Sequence, residues 1–218
     1  MPTNDSTRSS FLSPGTGSIS IQGWLHVPIL TGSNDVQVVF QKLREGSADG
    51  YTVYVSGSGM SFQVTSGSTD VSVSSSFSTM PSFFAAVLDR TSITGTLALY
   101  VGTTSSFPVL RDSSPIVLGQ RFDLASGSFF MGSGSVSGKA VRPFTGSLDS
   151  ISAWSIPRNS AALSGSFNRK VFAQDGLVGS WQFNDASPRT PPAYATIVRD
   201  RSGHRLDGRI QRFFSGAL

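Results

Sequence analysis

The 218-residue chain has no cysteine and a single glutamate, Glu45. Without thiols there is no disulfide framework, no thiolate nucleophile and no zinc–thiolate site. Charged residues make up only 14% of the chain, and strong helix formers are scarce, which argues against a helical protein. No apolar run reaches the length of about 18 residues that a membrane-spanning helix needs. The N-terminal stretch MPTNDSTRSSFLSPGTGS lacks the apolar segment of a signal peptide. With Met1 as the start, the expectation is synthesis in the cytoplasm without the usual export.

Glycine (23 residues) and serine are abundant, and the hydrophobic fraction is 38%. That composition fits a folded, β-rich, turn-rich chain and not a disordered one. The length suits one large β-sandwich domain. The formal charge of +4 is uneven: residues 189–218 hold six Arg and two Asp, and the rest of the chain balances. Arg outnumbers Lys 14 to 3, a bias suited to forked contacts with carboxylates at a protein interface.

Residues 1–17 are polar and punctuated by Pro and Gly, and are expected to form an extended or flexible arm before a single domain spanning 18–218. In SISIQGWLHV, the residues Ile19, Ile21, Gly23, Leu25 and Val27 share one face, and Ser20, Gln22, Trp24 and His26 the other. GYTVYVSG and MSFQVTSG read as a hairpin through Gly57, Ser58 and Gly59, with Met60, Phe62 and Val64 on one face. Strands continue at DVQVVFQKL, VSVSSSF, SFFAAVLD, TLALYVG and SPIVLG, a spacing typical of sandwiches and barrels. Residues 123–141 read as a long Gly/Ser loop. In the strand after it, Leu148 and Ile151 differ in parity: either both faces are covered or a bulge near Asp149 shifts the register, and the bulge is the favoured reading. RNSAALSGSFNRKVF predicts one short helix. GLVGSWQFND predicts a strand with Leu177, Trp181 and Phe183 on one face.

Three motifs, in this order, resemble the laminin G-like domains of the concanavalin A-like lectin/glucanase superfamily. The first is Phe144, Gly146, Leu148, Asp149, Ile151 and Trp154, followed by Pro157–Leu163. The second is Gly176, Leu177, Val178, Trp181, Phe183 and Asp185. The third is the turn with Asp200, Ser202, Gly203, His204, Asp207, Gly208 and Ile210. The similarity covers about residues 18–210 and departs from the family pattern at Ser150, where an acid is usual. It implies an all-β, two-sheet antiparallel jelly-roll sandwich with one short helix. The fold alone does not dictate a function.

Candidate sites follow from residue type and face. Trp24 and Tyr54 have the outward parity of glycan-stacking aromatics; the alternative is that they cover a sheet face under a loop or a neighbouring subunit. Trp154 and Trp181 are expected in the core. Asp149 is expected to tie a bulge or turn through backbone N–H groups, a catalytic or metal role being the alternative. A glucanase needs two placed carboxylates, and Glu45 and Asp149 have no motif partner, so an enzyme is not expected. His26 and His204 read as surface and turn residues. The loops carry Asp70 and Asp123 alone where calcium needs several acids, so no cofactor is expected beyond a weak calcium site. The series Arg199, Arg201, Arg205, Arg209 and Arg212 is expected at a protein interface, since no nucleic-acid motif accompanies it.

A lectin-like module without export signal or cysteine suggests a virion protein: a capsid decoration (cement) protein or a tail-fibre adhesin, made in the host cytoplasm. Its partners would be other virion proteins or further copies of itself, a trimer being the expected assembly, together with surface glycans. The alternative is a carbohydrate-binding or cell-adhesion module, secreted or cut from a larger protein and working outside the cell.

Overall fold

A computed structural model describes residues 10–28, 32, 34–118, 121–185 and 197–210. The strands are β1 (Ile19–His26), β2 (Asp35–Leu43), β3 (Gly50–Ser56), β4 (Gly59–Ser66), β5 (Thr69–Ser76), β6 (Ser82–Asp89), β7 (Gly95–Thr103), β8 (Ser106–Ile116), β9 (Phe129–Met131), β10 (Ala140–Val141), β11 (Ser147–Trp154), β12 (Leu177–Trp181), β13 (Ile197–Val198) and β14 (Gly208–Arg209). One α-helix, α1 (Ser160–Ser166), precedes β12.

Two large sheets form the sandwich. The front sheet runs β12-β11-β1-β6-β7-β8, and the back sheet β10-β2-β3-β4-β5 with β9 also on β2. The large strands pair antiparallel; the short β10 lies parallel to β2. This is the expected all-β, jelly-roll-like architecture, with one short α-helix among the described residues beside a 3-10 turn at Ser10–Leu12. The β3–β4 and β4–β5 hairpins turn in two residues each, Gly57–Ser58 and Gly67–Ser68. Only the glycine of each pair has positive φ (54° and 58°), as a type II′ turn requires.

The period-two pattern decides what fills the core. Ile19, Ile21 and Leu25 of β1, with Phe84, Ala86 and Leu88 of β6, face Tyr51, Val53 and Val55 of β3 and Met60, Phe62 and Val64 of β4 across the sheets. The expected faces of β1 and β4 are therefore those observed. Residues 10–17 of the expected arm pack onto this body. Leu12 is buried in the core, the Tyr51 hydroxyl donates to its carbonyl, and Gly15 bridges to Phe122. Residues 1–9 lie outside those described.

Three expectations are corrected. Residues 123–141 are not all loop: β9 and β10 extend the edge of β2. Strand β8 begins at Ser106, well before SPIVLG. Leu177 does not share a face with Trp181. A register shift between Ala153 and Trp154 places Leu177 beside outward Trp154, while Trp181 pairs with inward Ile151. Phe183, which adopts positive φ, lies beyond the end of the strand.

One cation is buried among these apolar groups. Lys42 is opposite Tyr51 in the β2–β3 register and fully buried, and its Nζ donates to the Gly127 carbonyl. Burial pulls its pKa from the ordinary 10.5 to about 8, against the opposing pull of Asp123. Burial raises the Tyr51 hydroxyl well above its usual 10. Between pH 8 and 10.5 the unfolded chain holds a lysine proton that the folded one lacks, so stability rises with pH there. Above pH 10 the unfolded tyrosine ionises and the folded one does not, so stability falls. Chemical denaturation should show a gain of about 2 kcal/mol from pH 8 to roughly 9.5. Lys42→Met should abolish that rise; a rise that persists in the variant would assign it to another group.

Candidate binding cleft on the front sheet

The site begins at a bulge. Gln22 pairs with Ser152 and Trp24 with Asp149, so Gly23 alone faces both Ser150 and Ile151. Ser150 takes the left-handed conformation, φ 51°. The extra residue lets Leu148 and Ile151 both turn inward, and Asp149 turns outward beside Trp24. Gly23 makes the bulge possible. A Cβ there would stand 2.5 Å from Ile151 Cδ1 and 2.9 Å from its Cα, so the Ile151 side chain fills the core position that Gly23 leaves open.

On the outer face, the register puts Asp149, Trp24 and Phe83 in one row across β11, β1 and β6. Gln22 lies one outward position along β1. Helix α1 crosses this face. Asn159 caps it through a hydrogen bond from the Ala162 N–H to its Oδ1, 3.0 Å, satisfying one of the free amides of the first turn. Leu163 and Phe167 pack on Phe83 and Ala85. Phe167 stands 5.3 Å from the Trp24 ring, and Phe83 meets that ring edge-on at 5.7 Å. The chain leaving the helix, Asn168 to Val171, raises a wall. Asn168 also adopts positive φ (57°).

The result is a cleft of about 240 Å³. Its floor is Trp24, Phe83, Gln22 and Asp149, and its wall carries Asn168, Arg169 and Lys170. Gln22 is buried and donates from Nε2 to Ser166 Oγ at 3.0 Å, but its Oε1 has no partner among the described residues. The Asp149 carboxylate is exposed and accepts no hydrogen bond from a described residue. It does not tie the bulge, whose turn is made by the Ser150 backbone itself. The surface thus offers a half-buried indole, an amide, a carboxylate and two cations. Such a set binds polyhydroxylated molecules by stacking and hydrogen bonding. No second carboxylate lines the cleft, and among the described residues no group of three or more His, Asp or Glu could hold a metal.

The other expected residues lie elsewhere. Tyr54 is on the outer face of the back sheet, 8% exposed under Val136 beside Val36 and Val38. Trp24 and Tyr54 therefore occupy opposite outer faces and share no site. Trp154 is fully buried, not between the sheets but on the outer face, where the Arg158 guanidinium lies 4.1 Å from its ring. Trp181 is in the core, stacked on Phe129 at 5.9 Å, and donates from Nε1 to the Leu206 carbonyl. Arg199, Arg201, Arg205 and Arg209 are exposed near β13 and β14, with Arg201 paired to Asp185 at 2.6 Å; Arg212 lies outside the described residues. The His204 ring contacts Phe11 and the Leu177 carbonyl. Sequence reasoning did not single out Gln22 or the 166–171 wall as a site. The outward parity of Gln22 with Trp24 was the available signal.

No protein-family model and no curated protein matches this chain. Solved structures share its fold. A proposed carbohydrate-binding protein from Bacteroides ovatus superposes with TM-score 0.64 at 16% identity, over 89% of this chain and 52% of that one. The binding domain of botulinum neurotoxin serotype G gives TM-score 0.53 at 12% identity, over 71% and 36%. The binding domain of botulinum neurotoxin DC, in complex with SialylT, gives TM-score 0.53 at 10% identity, over 84% and 44%. The chain spans about half or less of each of these structures. The likeness establishes the fold, a two-sheet β-sandwich.

The cleft depends on Gly23, so Gly23→Val should destabilise the protein by about 2–3 kcal/mol through overpacking against Ile151. It should also quench or shift Trp24 fluorescence. An unchanged denaturation midpoint would show that the bulge adapts without Gly23.

Proposed function

We propose that this protein is a non-enzymatic glycan-binding module, with a sugar ring seated on Trp24 in the front-sheet cleft. The carrying observation is the row Asp149–Trp24–Phe83 with Gln22 beside it. An aromatic face is flanked by polar side chains that are not fully used inside the protein. The apolar face of a sugar stacks on indole, while its hydroxyls need donors and acceptors at the ring edge. Asp149 accepts, Lys170 donates, and Asn168 does both. The fold supports the reading, since one sandwich that superposes on it is a proposed carbohydrate-binding protein and another was solved with SialylT. A laminin G-like origin fits the same sandwich.

The virion role expected from the sequence finds no support among the fold's relatives. The glycan reading does not depend on it: a cleft of this kind would serve a secreted module or a particle-borne adhesin alike. The exposed Arg199, Arg205 and Arg209 are then left for contact with a protein partner or another copy of the chain.

A glycan array of neutral and acidic oligosaccharides, followed by calorimetry on the hits, tests the proposal. Binding in the micromolar to millimolar range is expected. Trp24→Ala should weaken it roughly tenfold or more, about 1.4 kcal/mol, without loss of the folded state by circular dichroism. An array without a hit at millimolar glycan, or full affinity in Trp24→Ala, would overturn the assignment.

A further inference from the structure

Beyond the wall that bounds the Trp24 cleft lies a second opening of about 500 Å³. The two share Ser166, Arg169, Lys170 and Val171. Arg158, Arg169 and Lys170 border the second opening, and among the described residues no carboxylate does. None of the three cations forms an ion pair with a described residue. The nearest acid along the chain, Asp175, is exposed and does not line the opening.

Arg158 is held in place. Its guanidinium lies over Trp154, and Nη2 donates to the Ala162 carbonyl at 2.8 Å and to Ser166 Oγ at 3.1 Å. Its Nε is buried and has no partner among the described residues. A fixed, planar guanidinium at the border of the opening, beside two exposed cations, matches an oxyanion, because charge-assisted hydrogen bonds to carboxylate or sulfate are strong and directional. Exposed Phe172 gives the same opening an apolar rim.

We propose that this second opening holds an anionic substituent, a uronic carboxylate or a sulfate ester, on the sugar next to the one seated on Trp24, so that the protein selects acidic glycans. The inference rests on the glycan reading and adds the ligand's charge. Neighbouring residues of one oligosaccharide can occupy both openings because the wall between them is a single short segment. Lys170 and Arg169 face both sides of it, so one ligand would meet the same cations from two sugars.

Calorimetry on the full chain with matched pairs of glycans tests this. Oligogalacturonate is compared with its methyl ester, and a sulfated galactoside with its desulfated form. The charged member of at least one pair is expected to bind roughly tenfold more tightly, and the pair that shows the difference identifies the anion. The double variant Arg169→Gln, Lys170→Gln alters exposed positions and should keep its melting temperature while losing that preference. Trp24→Ala should weaken both members equally. Equal affinity for charged and neutral members would overturn the inference and leave the glycan reading standing. A charged preference that survives the double variant would also overturn it, by placing the anion elsewhere. Single-stranded oligonucleotide binding as tight as the acidic glycan, and unaffected by Trp24→Ala, would replace it with a phosphate site. Absence of binding across the wider array would remove both proposals.

Discussion

At Gly23 the side chain of one strand is supplied by another. The β11 backbone bulges at Ser150, and Ile151 fills the inward position that β1 leaves vacant. The core stays continuous because a residue three places after Leu148 also points inward. The outer face changes for the same reason: Asp149 is turned out in register with Trp24 and not left at the mercy of strict alternation. A bulge re-aims side chains at the cost of one irregular pair. Here it gives β11 an apolar inner face and a polar neighbour for the indole at once.

The contrast between two aspartates shows what Asp149 is free to do. Asp200 accepts from the backbone N–H groups of Ser180, Ser202 and Leu206 and from the Ser202 hydroxyl. Asp207 accepts from the Asp200 N–H, and Trp181 donates to Leu206. These bonds stitch the Asp200–Asp207 turn onto the end of β12. A carboxylate used this way is structural, since removing it would strand several donors. Asp149 has none of these partners. It is exposed beside an aromatic ring, with its acceptor oxygens unused by any described residue.

Much of the sandwich was legible because two-residue periodicity translates directly into faces. Ile19, Ile21 and Leu25 read correctly as core, and the odd spacing of Leu148 and Ile151 read correctly as a bulge. Parity stops at the face, however, and does not say what covers it. Tyr54 and Trp24 both read as outward. Val136, from a segment far along the chain, covers Tyr54, whereas α1 leaves Trp24 half open. The same gap hid Lys42, which is buried opposite Tyr51 in the β2–β3 register. Leu177 was misplaced because its strand breaks alternation in its first turn against Trp154, a register shift with no marker in composition. The Trp24 end of the cleft was thus visible in the sequence. Its wall was not, because the landing of α1 on the front sheet is a tertiary event.

Backbone strain points to the same place as the polar side chains. Outside glycine, positive φ occurs at Ser150, Asn168, Phe183 and Arg205 among the described residues. The first two line the Trp24 cleft, one on the bulged strand and one at the exit of α1. A non-glycine residue in this region costs on the order of 1 kcal/mol and persists only where surrounding packing enforces it. At Ser150 the enforcing contact is Ile151 against Gly23. At Asn168 it is Phe167, which is packed against Trp24 and Phe83 and must reverse the chain within one residue. Asparagine tolerates that reversal better than most side chains. Two such residues lining one cleft beside a half-buried tryptophan make a preformed surface, with its ordering cost met during folding.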